Sequence, residues 1–194
     1  GPAEGGTSGR TISFVWSGID NVDNPLTYSY RMDEADWSSF NTDTAHTFTN
    51  LTQGSHTFSV SAMDYTHIID PTPAVRNFFV DAISSSISNV VITPTNNSVT
   101  VTWTTDEPAT SRAEFGTTAS YGNWSYLDTN LVTSHVLIIT NLISDTTYHI
   151  RVRSIDAYGN EGLSDDYTFT TMTDNVPPET YITQGPSEGS AITT

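Results

Sequence analysis

The sequence predicts an all-β protein of two tandem β-sandwich domains with an extra strand at the C-terminus, and two observations carry this prediction. Short runs rich in Val, Ile, Thr, Tyr and Phe alternate with polar residues, which is the two-residue period of a half-buried strand. Asn, Asp, Gly and Pro separate the runs, and no segment has the period of a helix. Because roughly seven short strands recur per hundred residues, the strands are expected to form sandwiches.

The elements are expected in the following order. The first domain, residues 1–81, has five predicted strands: 11–16, 26–32, 46–51, 55–63 and 75–80. A Ser-rich linker covers 82–86, and the second domain covers 87–173. Its six predicted strands are 89–95, 98–105, 110–116, 134–142, 146–156 and 166–172. Residues 174–194 are predicted to be a linker and the first strand of a further domain.

The composition excludes several classes of function. The chain has 22 acidic and 6 basic residues, a formal net charge of −16, which repels nucleic acid and anionic membranes. It has no cysteine, so disulfides and thiolate sites are excluded. No stretch is long and apolar enough to span a membrane. We therefore expect no nucleic-acid partner and no membrane-spanning segment.

Two residues of the second domain predict specific packing. Leu142 and Tyr148 in "LISDTTYHIRV" have the spacing of a tyrosine corner, in which the Tyr hydroxyl bonds back to the loop before its strand. Trp103 in "VTVTWTT" is the expected core tryptophan.

These motifs also carry a resemblance. Through "SVTVTWTTDEPATSRAEFGTT", "LISDTTYHIRVRSIDAYGN" and "YTFTT", residues 87–173 resemble a fibronectin type III domain of microbial secreted proteins. Through "LTQGSHTFSVSAMD" and "DPTPAVRNFFVD", residues 11–81 resemble a microbial immunoglobulin-like repeat. The first domain departs from that pattern in "DYTHIID", where such repeats tend to have a Gly-Asn turn. The resemblance implies an extracellular or cell-surface protein.

The two ends of the chain share a motif. Gly-Pro-x-Glu-Gly occurs at 1–5 and again at 185–189. Immunoglobulin-like repeats of this kind begin with a strand before the Gly-Pro, and "PPETYITQGP" resembles such a strand. The first domain is therefore expected to lack its first strand, and the chain to end with the first strand of another copy. Either the chain is a segment of a longer array, or subunits share strands through an interface formed by Glu179, Thr180, Tyr181, Ile182, Thr183 and Gln184.

Calcium is the one ion with a physical case. Asp20 and Asp23 in "DNVDN", and Asp174 at the junction after the second domain, offer the hard oxygen ligands that calcium takes. Ordinary Asx turns are the competing explanation. No other cofactor is expected.

No catalytic group is predicted. The five histidines, at 46, 56, 67, 135 and 149, lack metal-ligand spacing, and no Gly-x-Ser-x-Gly motif occurs. The carboxylate pairs Asp106–Glu107 and Asp165–Asp166 are interpreted as caps of turns rather than a glycosidase pair. We therefore expect a protein that is not an enzyme.

Two further features concern carbohydrate. Asn50, Asn96 and Asn123 begin Asn-x-Ser/Thr sequons, which carry sugar in a glycosylating organism and are coincidental otherwise. Trp37, and Trp124 with Tyr121 and Tyr126, are candidates for stacking on sugar rings or for covering sheet faces.

The expected function is mechanical: a stalk, adhesin or filament subunit, whose partners are copies of itself, adjacent repeats of a longer chain or cell-surface glycans. The alternative is an accessory carbohydrate-binding or spacer module of a secreted polysaccharide-degrading enzyme.

Overall fold

A computed structural model describes residues 1–21 and 25–180, and these residues form strands and turns without a helix. The all-β prediction is therefore confirmed. The strands are β1 (Thr7–Ser8), β2 (Ile12–Val15), β3 (Thr27–Met32), β4 (Ala45–Phe48), β5 (Gly54–Met63), β6 (Ala74–Val80), β7 (Ile87–Pro94), β8 (Ser98–Gly116), β9 (Asn123–Trp124), β10 (Asp128–Thr140), β11 (Thr147–Ile155), β12 (Glu161–Leu163) and β13 (Tyr167–Thr170).

The first sandwich consists of a four-stranded sheet and a two-stranded sheet. In the larger sheet the order is β1-β6-β5-β3, with β1 parallel to β6 and the other pairs antiparallel. The smaller sheet pairs β2 with β4 in antiparallel register, Ile12 opposite Phe48. Aromatic side chains fill the space between the sheets: Phe14 stacks on Phe58 with ring centroids 4.1 Å apart and contacts Phe78 at 5.6 Å.

The second sandwich depends on the long strand β8. Its first half lies between β7 and β10, and its second half pairs with β9 and β11, which in turn pairs with β12 and β13. The sequence predicts two strands here, at 98–105 and 110–116. They form one strand in the structure, because the chain stays extended through Asp106–Pro108 as it passes from one sheet to the other. One strand therefore fixes the two sheets relative to each other.

The expected core residues of the second sandwich are confirmed. Trp103 is 1% exposed, and its indole Nε1 donates a hydrogen bond to the Ser154 hydroxyl at 3.0 Å. The tyrosine corner also forms, since the Tyr148 hydroxyl accepts a hydrogen bond from the Ile143 backbone N–H at 3.0 Å. Leu142 is buried in the same cluster.

Some elements differ from the sequence prediction. β10 begins six residues before the predicted strand at 134–142, because its first part is exposed on both faces and so lacks the alternation that marks a half-buried strand. The short strands β1, β9 and β12 were not predicted. Of the predicted C-terminal strand, Glu179 and Thr180 are not in a strand, and Tyr181 to Gln184 lie outside the described residues.

Candidate strand-accepting edge

The small sheet of the first sandwich has an edge, along β2, that no strand of the described residues covers. Along β2, Ile12 and Phe14 are buried, whereas Ser13 and Val15 are exposed, so the strand has one face on the core and one in solvent. β4 covers one edge of β2, and no described strand pairs with the other edge. An unpaired edge presents a row of free backbone donors and acceptors to an additional strand.

The register identifies which backbone groups face outward. The Trp16 N–H donates to the Thr44 carbonyl at 2.9 Å, so the even-numbered residues of this strand exchange hydrogen bonds with β4. The alternation of an antiparallel ladder then directs the N–H and C=O groups of Thr11, Ser13 and Val15 away from β4. These three residues are exposed. They offer a short, regular acceptor for an extended segment.

The N-terminal segment connects this edge to the other sheet. Gly1 lies so close to Phe14 that a Cβ atom at Gly1 would be 2.5 Å from the Phe14 ring. The chain then crosses to β6, where the Gly5 N–H donates to the Asn77 carbonyl at 2.8 Å and the Phe79 N–H donates to the Gly6 carbonyl at 2.9 Å. Residues 5–8 therefore occupy the outer edge of β6 and do not cover the outer edge of β2.

Only part of the predicted interface segment is described. Glu179 and Thr180 are exposed and follow the Pro177–Pro178 pair. Tyr181, Ile182, Thr183 and Gln184 lie outside the described residues.

Two of the three predicted calcium ligands, Asp20 and Asp174, lie among the described residues. Asp20 accepts the Asn21 N–H at 2.7 Å through Oδ1, and its Oδ2 is buried without a hydrogen-bond partner among the described residues. Asp174 is exposed and accepts the Val176 N–H at 3.0 Å, which is an Asx turn. Asp23 lies outside the described residues. In residues 1–21 and 25–180 neither Asp20 nor Asp174 belongs to a group of three potential ligands.

A different acidic group comes together between the two sandwiches, at Asp81, Glu107 and Asp156. Sequence reasoning missed it because the three residues are far apart in the chain. The pair Asp106–Glu107 splits: Asp106 accepts the Ser86 N–H at 2.7 Å, whereas Glu107 turns toward Asp81 and Asp156. Asp166 of the second carboxylate pair binds His149 Nδ1 at 2.7 Å.

His135 is hydrogen-bonded to a serine hydroxyl, as a catalytic histidine can be, but it is buried. His135 is hydrogen-bonded to the Ser111 hydroxyl at Nδ1 (2.8 Å) and to the Thr105 hydroxyl at Nε2 (2.9 Å), and its ring stacks on Trp103 with centroids 4.7 Å apart. His135 and Ser111 are each 2% exposed, so substrate has no route to the pair. Burial lowers the pKa of His135, which keeps the ring neutral. This cluster stabilises the core.

The candidate aromatic residues differ in what covers them. The guanidinium carbons of Arg112 and Arg153 lie 4.2 and 5.0 Å from the Trp124 ring centroid, and that of Arg151 lies 4.9 Å from the Tyr121 ring centroid. A sugar that stacked on the same face of either ring would have to displace an arginine. Tyr126 is 81% exposed.

Trp37 also contacts an arginine, but it differs from Trp124 in the neighbours with which it lines a cleft. It lines a cleft of about 350 Å³ together with Phe40, Pro71 and Pro73, and Arg31 lies 4.8 Å from its ring centroid.

The sequon asparagines are all at or near the surface. Asn50 and Asn123 are exposed, and Asn96 is half-buried in the turn between β7 and β8. Asn50 has a positive φ of 57°, which an asparagine adopts more readily than most residues.

Comparison with known proteins identifies the fold. A sequence-family profile described as the N-terminal domain of purple acid phosphatase matches residues 87–171, less than half of the chain. No curated protein matches the sequence. Among solved structures, the FN1–FN3 domains of chicken CNTN1 share 16% identity and a TM-score of 0.51, covering 88% of this chain and 63% of that one.

Two other solved structures are similar at lower TM-scores. Fibronectin(III)-like modules of Clostridium thermocellum CbhA share 13% identity at a TM-score of 0.44, with 93% of this chain and 96% of that chain covered. A two-domain fibronectin type III segment of chicken tenascin shares 17% identity at 0.41, with 84% and 94% covered. This chain spans about 63% of the CNTN1 fragment that it matches. The chain has the fold of tandem immunoglobulin-like and fibronectin type III domains.

Proposed function

We propose that this chain is a non-catalytic structural or adhesive protein of the cell surface or extracellular space. In this proposal it is a unit of a stalk or filament, and the segment Glu179–Gln184 of a neighbouring copy, or of an adjacent repeat, adds to the outer edge of β2. The observation that carries the proposal is that open edge, next to the point where Gly1 lies against Phe14.

The repeated motif supports this choice of occupant. Residues 179–184 run directly into the second Gly-Pro-x-Glu-Gly motif, at 185–189. The first such motif, at 1–5, begins beside β2. A strand that leads into this motif is therefore expected to lie along β2, whether it comes from the preceding repeat of a longer chain or from another molecule.

The edge offers both affinity and register. The outward N–H and C=O groups of Thr11, Ser13 and Val15 would pair with the added backbone. Alternate side chains of the added strand then point to the core and to solvent, so Thr180 and Ile182 share one face and Tyr181 the other. The donor and acceptor surfaces differ, so this contact does not close on itself and would propagate head-to-tail.

The acceptor's own N-terminal segment limits the arrangement. Residues 5–8 already bond along β6, so the corresponding residues of the donor's second motif cannot take that path in trans. They would have to turn away from the sandwich. A peptide that ends at Gln184 avoids the competition, and it is the sharpest probe of the edge.

The test combines this peptide with two proline variants. A synthetic peptide of residues 177–184 is titrated into the protein and followed by amide chemical shifts, and we expect shifts at Thr11, Ser13 and Val15. Ser13→Pro removes an outward N–H without touching the ladder to β4, so it should abolish peptide binding.

Thr47→Pro is the matched control. Thr47 is the direct partner of Ser13, both variants lose the 2.7 Å hydrogen bond between the two hydroxyls, and the Thr47 N–H faces the opposite edge of the sheet. We expect this variant to bind the peptide. A peptide that leaves the β2 amides unchanged at millimolar concentration would overturn strand addition.

Sedimentation of the full chain over a wide concentration range separates the two sources of the strand. If strands are donated between molecules, the molecular mass should increase with protein concentration. This increase should be absent in Ser13→Pro and present in Thr47→Pro. A monomer that still binds the peptide indicates an array in which an adjacent repeat supplies the strand.

Composition agrees with an extracellular setting. The net charge of −16 keeps a crowded surface protein soluble by mutual repulsion. Within residues 1–21 and 25–180 no helix has the length and apolar character needed to cross a bilayer. Fibronectin type III domains are commonly extracellular or surface-associated.

A second candidate function is carbohydrate binding as an accessory module, and the Trp37 cleft favours it. Tryptophan with neighbouring prolines gives a flat apolar surface suited to a sugar ring. Retention on insoluble polysaccharide, reduced by Trp37→Ala but not by Trp124→Ala, would support this candidate. If the unmodified chain, Trp37→Ala and Trp124→Ala all pass through the polysaccharide without retention, carbohydrate binding is ruled out.

A further inference from the structure

Three carboxylates meet at the junction of the two sandwiches. Asp81 follows β6 at the end of the first sandwich, Glu107 lies where β8 crosses between the sheets of the second, and Asp156 follows β11. One oxygen from each lies within 4.8 Å of the other two. Among the described residues none of the three is in an ion pair, so their negative charges are uncompensated.

A second, independent feature points to the same place. Ser85 is 3% exposed, and its hydroxyl oxygen is buried without a hydrogen-bond partner among the described residues. The hydroxyl lies beside the Glu107 carboxylate, but the two groups do not form a hydrogen bond of normal geometry. A buried hydroxyl without a partner is costly in a folded protein, and a bound ion would supply the missing partner.

The segment that carries Ser85 is held firmly in place. The Ser85 carbonyl lies against Gly162, where a Cβ atom would be only 2.1 Å from it. The next residue is fixed as well, since the Ser86 N–H donates to Asp106 Oδ1 at 2.7 Å. The backbone around Ser85 is therefore fixed, and the side chain is 3% exposed.

The carboxylates are also held before any ion binds. Asp156 Oδ1 accepts the N–H groups of Tyr158 (2.7 Å) and Asn160 (2.9 Å), and the Asn160 side-chain amide donates to Asp156 Oδ2 (2.8 Å) and to the Asp81 carbonyl (3.3 Å). The Asp81 N–H donates to the Ser8 carbonyl at 2.9 Å. The group is thus built from both sandwiches.

We propose that Asp81, Glu107 and Asp156, with the Ser85 hydroxyl, bind one calcium ion that joins the two sandwiches. The donors are all oxygens, which favours a hard cation over zinc. Three atoms separated by at most 4.8 Å have a common point no more than about 2.8 Å from each, close to the Ca–O distance of about 2.3–2.6 Å. Magnesium, at about 2.0–2.1 Å, would require a larger contraction.

The electrostatic setting agrees with a cation. At this separation the three carboxylates repel one another, and a bound cation would relieve that repulsion. This site is distinct from the edge of β2 and does not depend on strand addition.

The test is calorimetric titration of the full chain with CaCl2 after removal of metal by chelator. We expect one bound ion with a dissociation constant of about 0.1–1 mM, as in extracellular modules. Asp81→Asn and Glu107→Gln should each weaken binding at least tenfold. Asp36→Asn, which removes the same charge from an exposed loop, should leave it unchanged, and MgCl2 should bind at least tenfold more weakly.

An NMR titration keeps the proposal falsifiable even where a variant fails to fold. In the unmodified chain, calcium should shift the amides of Ser85, Glu107 and Asn160 with the calorimetric affinity. Absence of binding at 10 mM CaCl2, shifts confined to the Asp20 loop, or equal affinity for magnesium would each overturn the assignment.

Discussion

Replacing Tyr148 by Phe tests the tyrosine corner with a single atom. The Tyr148 ring is 6% exposed and stacks on Phe169 with centroids 5.6 Å apart, contacts that Phe would keep. The change removes only the hydroxyl oxygen, which accepts the Ile143 N–H at 3.0 Å. That N–H is partly buried in the turn before β11, and no other acceptor for it is found among the described residues.

The expected loss follows from the unsatisfied donor. A partly buried N–H left without an acceptor costs about 1–3 kcal/mol, more than the net value of an average hydrogen bond. For a domain of this size, each kcal/mol lowers the melting temperature by about 4–8 °C. We therefore expect Tyr148→Phe to lower the melting temperature of the second sandwich by about 4–24 °C.

Differential scanning calorimetry of the full chain measures this change, and hydrogen exchange of the β11 amides assigns the affected transition to the second sandwich. Tyr126→Phe is the control, because Tyr126 is 81% exposed and its hydroxyl has no hydrogen bond to a described residue. We expect it to change the melting temperature by less than about 2 °C, as for most surface substitutions. A Tyr148→Phe protein as stable as the control would refute the assignment of the corner as a stabilising contact.

Two histidines should make the sandwiches respond to pH in opposite ways. Burial lowers the pKa of His135, so as pH falls below about 6.5 the unfolded chain takes up a proton that the folded chain does not, and the urea midpoint of the second sandwich should fall. A His135 ring that titrates at its ordinary pKa in the folded protein would contradict this. The pKa of His56 is raised: burial lowers it, but the hydrogen bond to the Thr52 carbonyl and the contact with Asp33 Oδ2 at 2.8 Å outweigh burial. Its contribution is therefore complete below the ordinary pKa and lost as pH rises through the raised value, and His56→Gln should abolish that loss in the first sandwich.

The sequence predicts those parts of the fold that depend on local alternation. In β2 and β11 every second residue is buried and the others are exposed or half-buried, so the positions of these strands follow from the chain alone. The start of β10 gives no such signal, because its residues are exposed on both faces and pair only irregularly with the neighbouring strand β8. The Leu142–Tyr148 spacing is likewise local, and it predicts the corner correctly.

Sites assembled from distant segments were not predictable in this way. The His135 ring on β10 is hydrogen-bonded to the hydroxyl groups of Ser111 and Thr105, which lie on β8 and are 24 and 30 residues away in the sequence. The carboxylates Asp81, Glu107 and Asp156 each have an ordinary local explanation as turn or strand-end residues. Only the packing of one sandwich on the other brings them together.

The two sandwiches also differ in how many described strands their sheets contain. In the second, both halves of β8 are flanked by partner strands, so each sheet has at least three strands around a shared core. In the first, Ile12 and Phe14 contribute to the core from a sheet of only two described strands, and two-stranded sheets are marginal by themselves. A third strand along β2 would bring that sheet to the number at which sheets become independently stable. Of the two outer edges of this sheet, the one along β2 lies next to the start of the repeated motif, which favours strand addition there over contact between finished domains as the way such units would be joined.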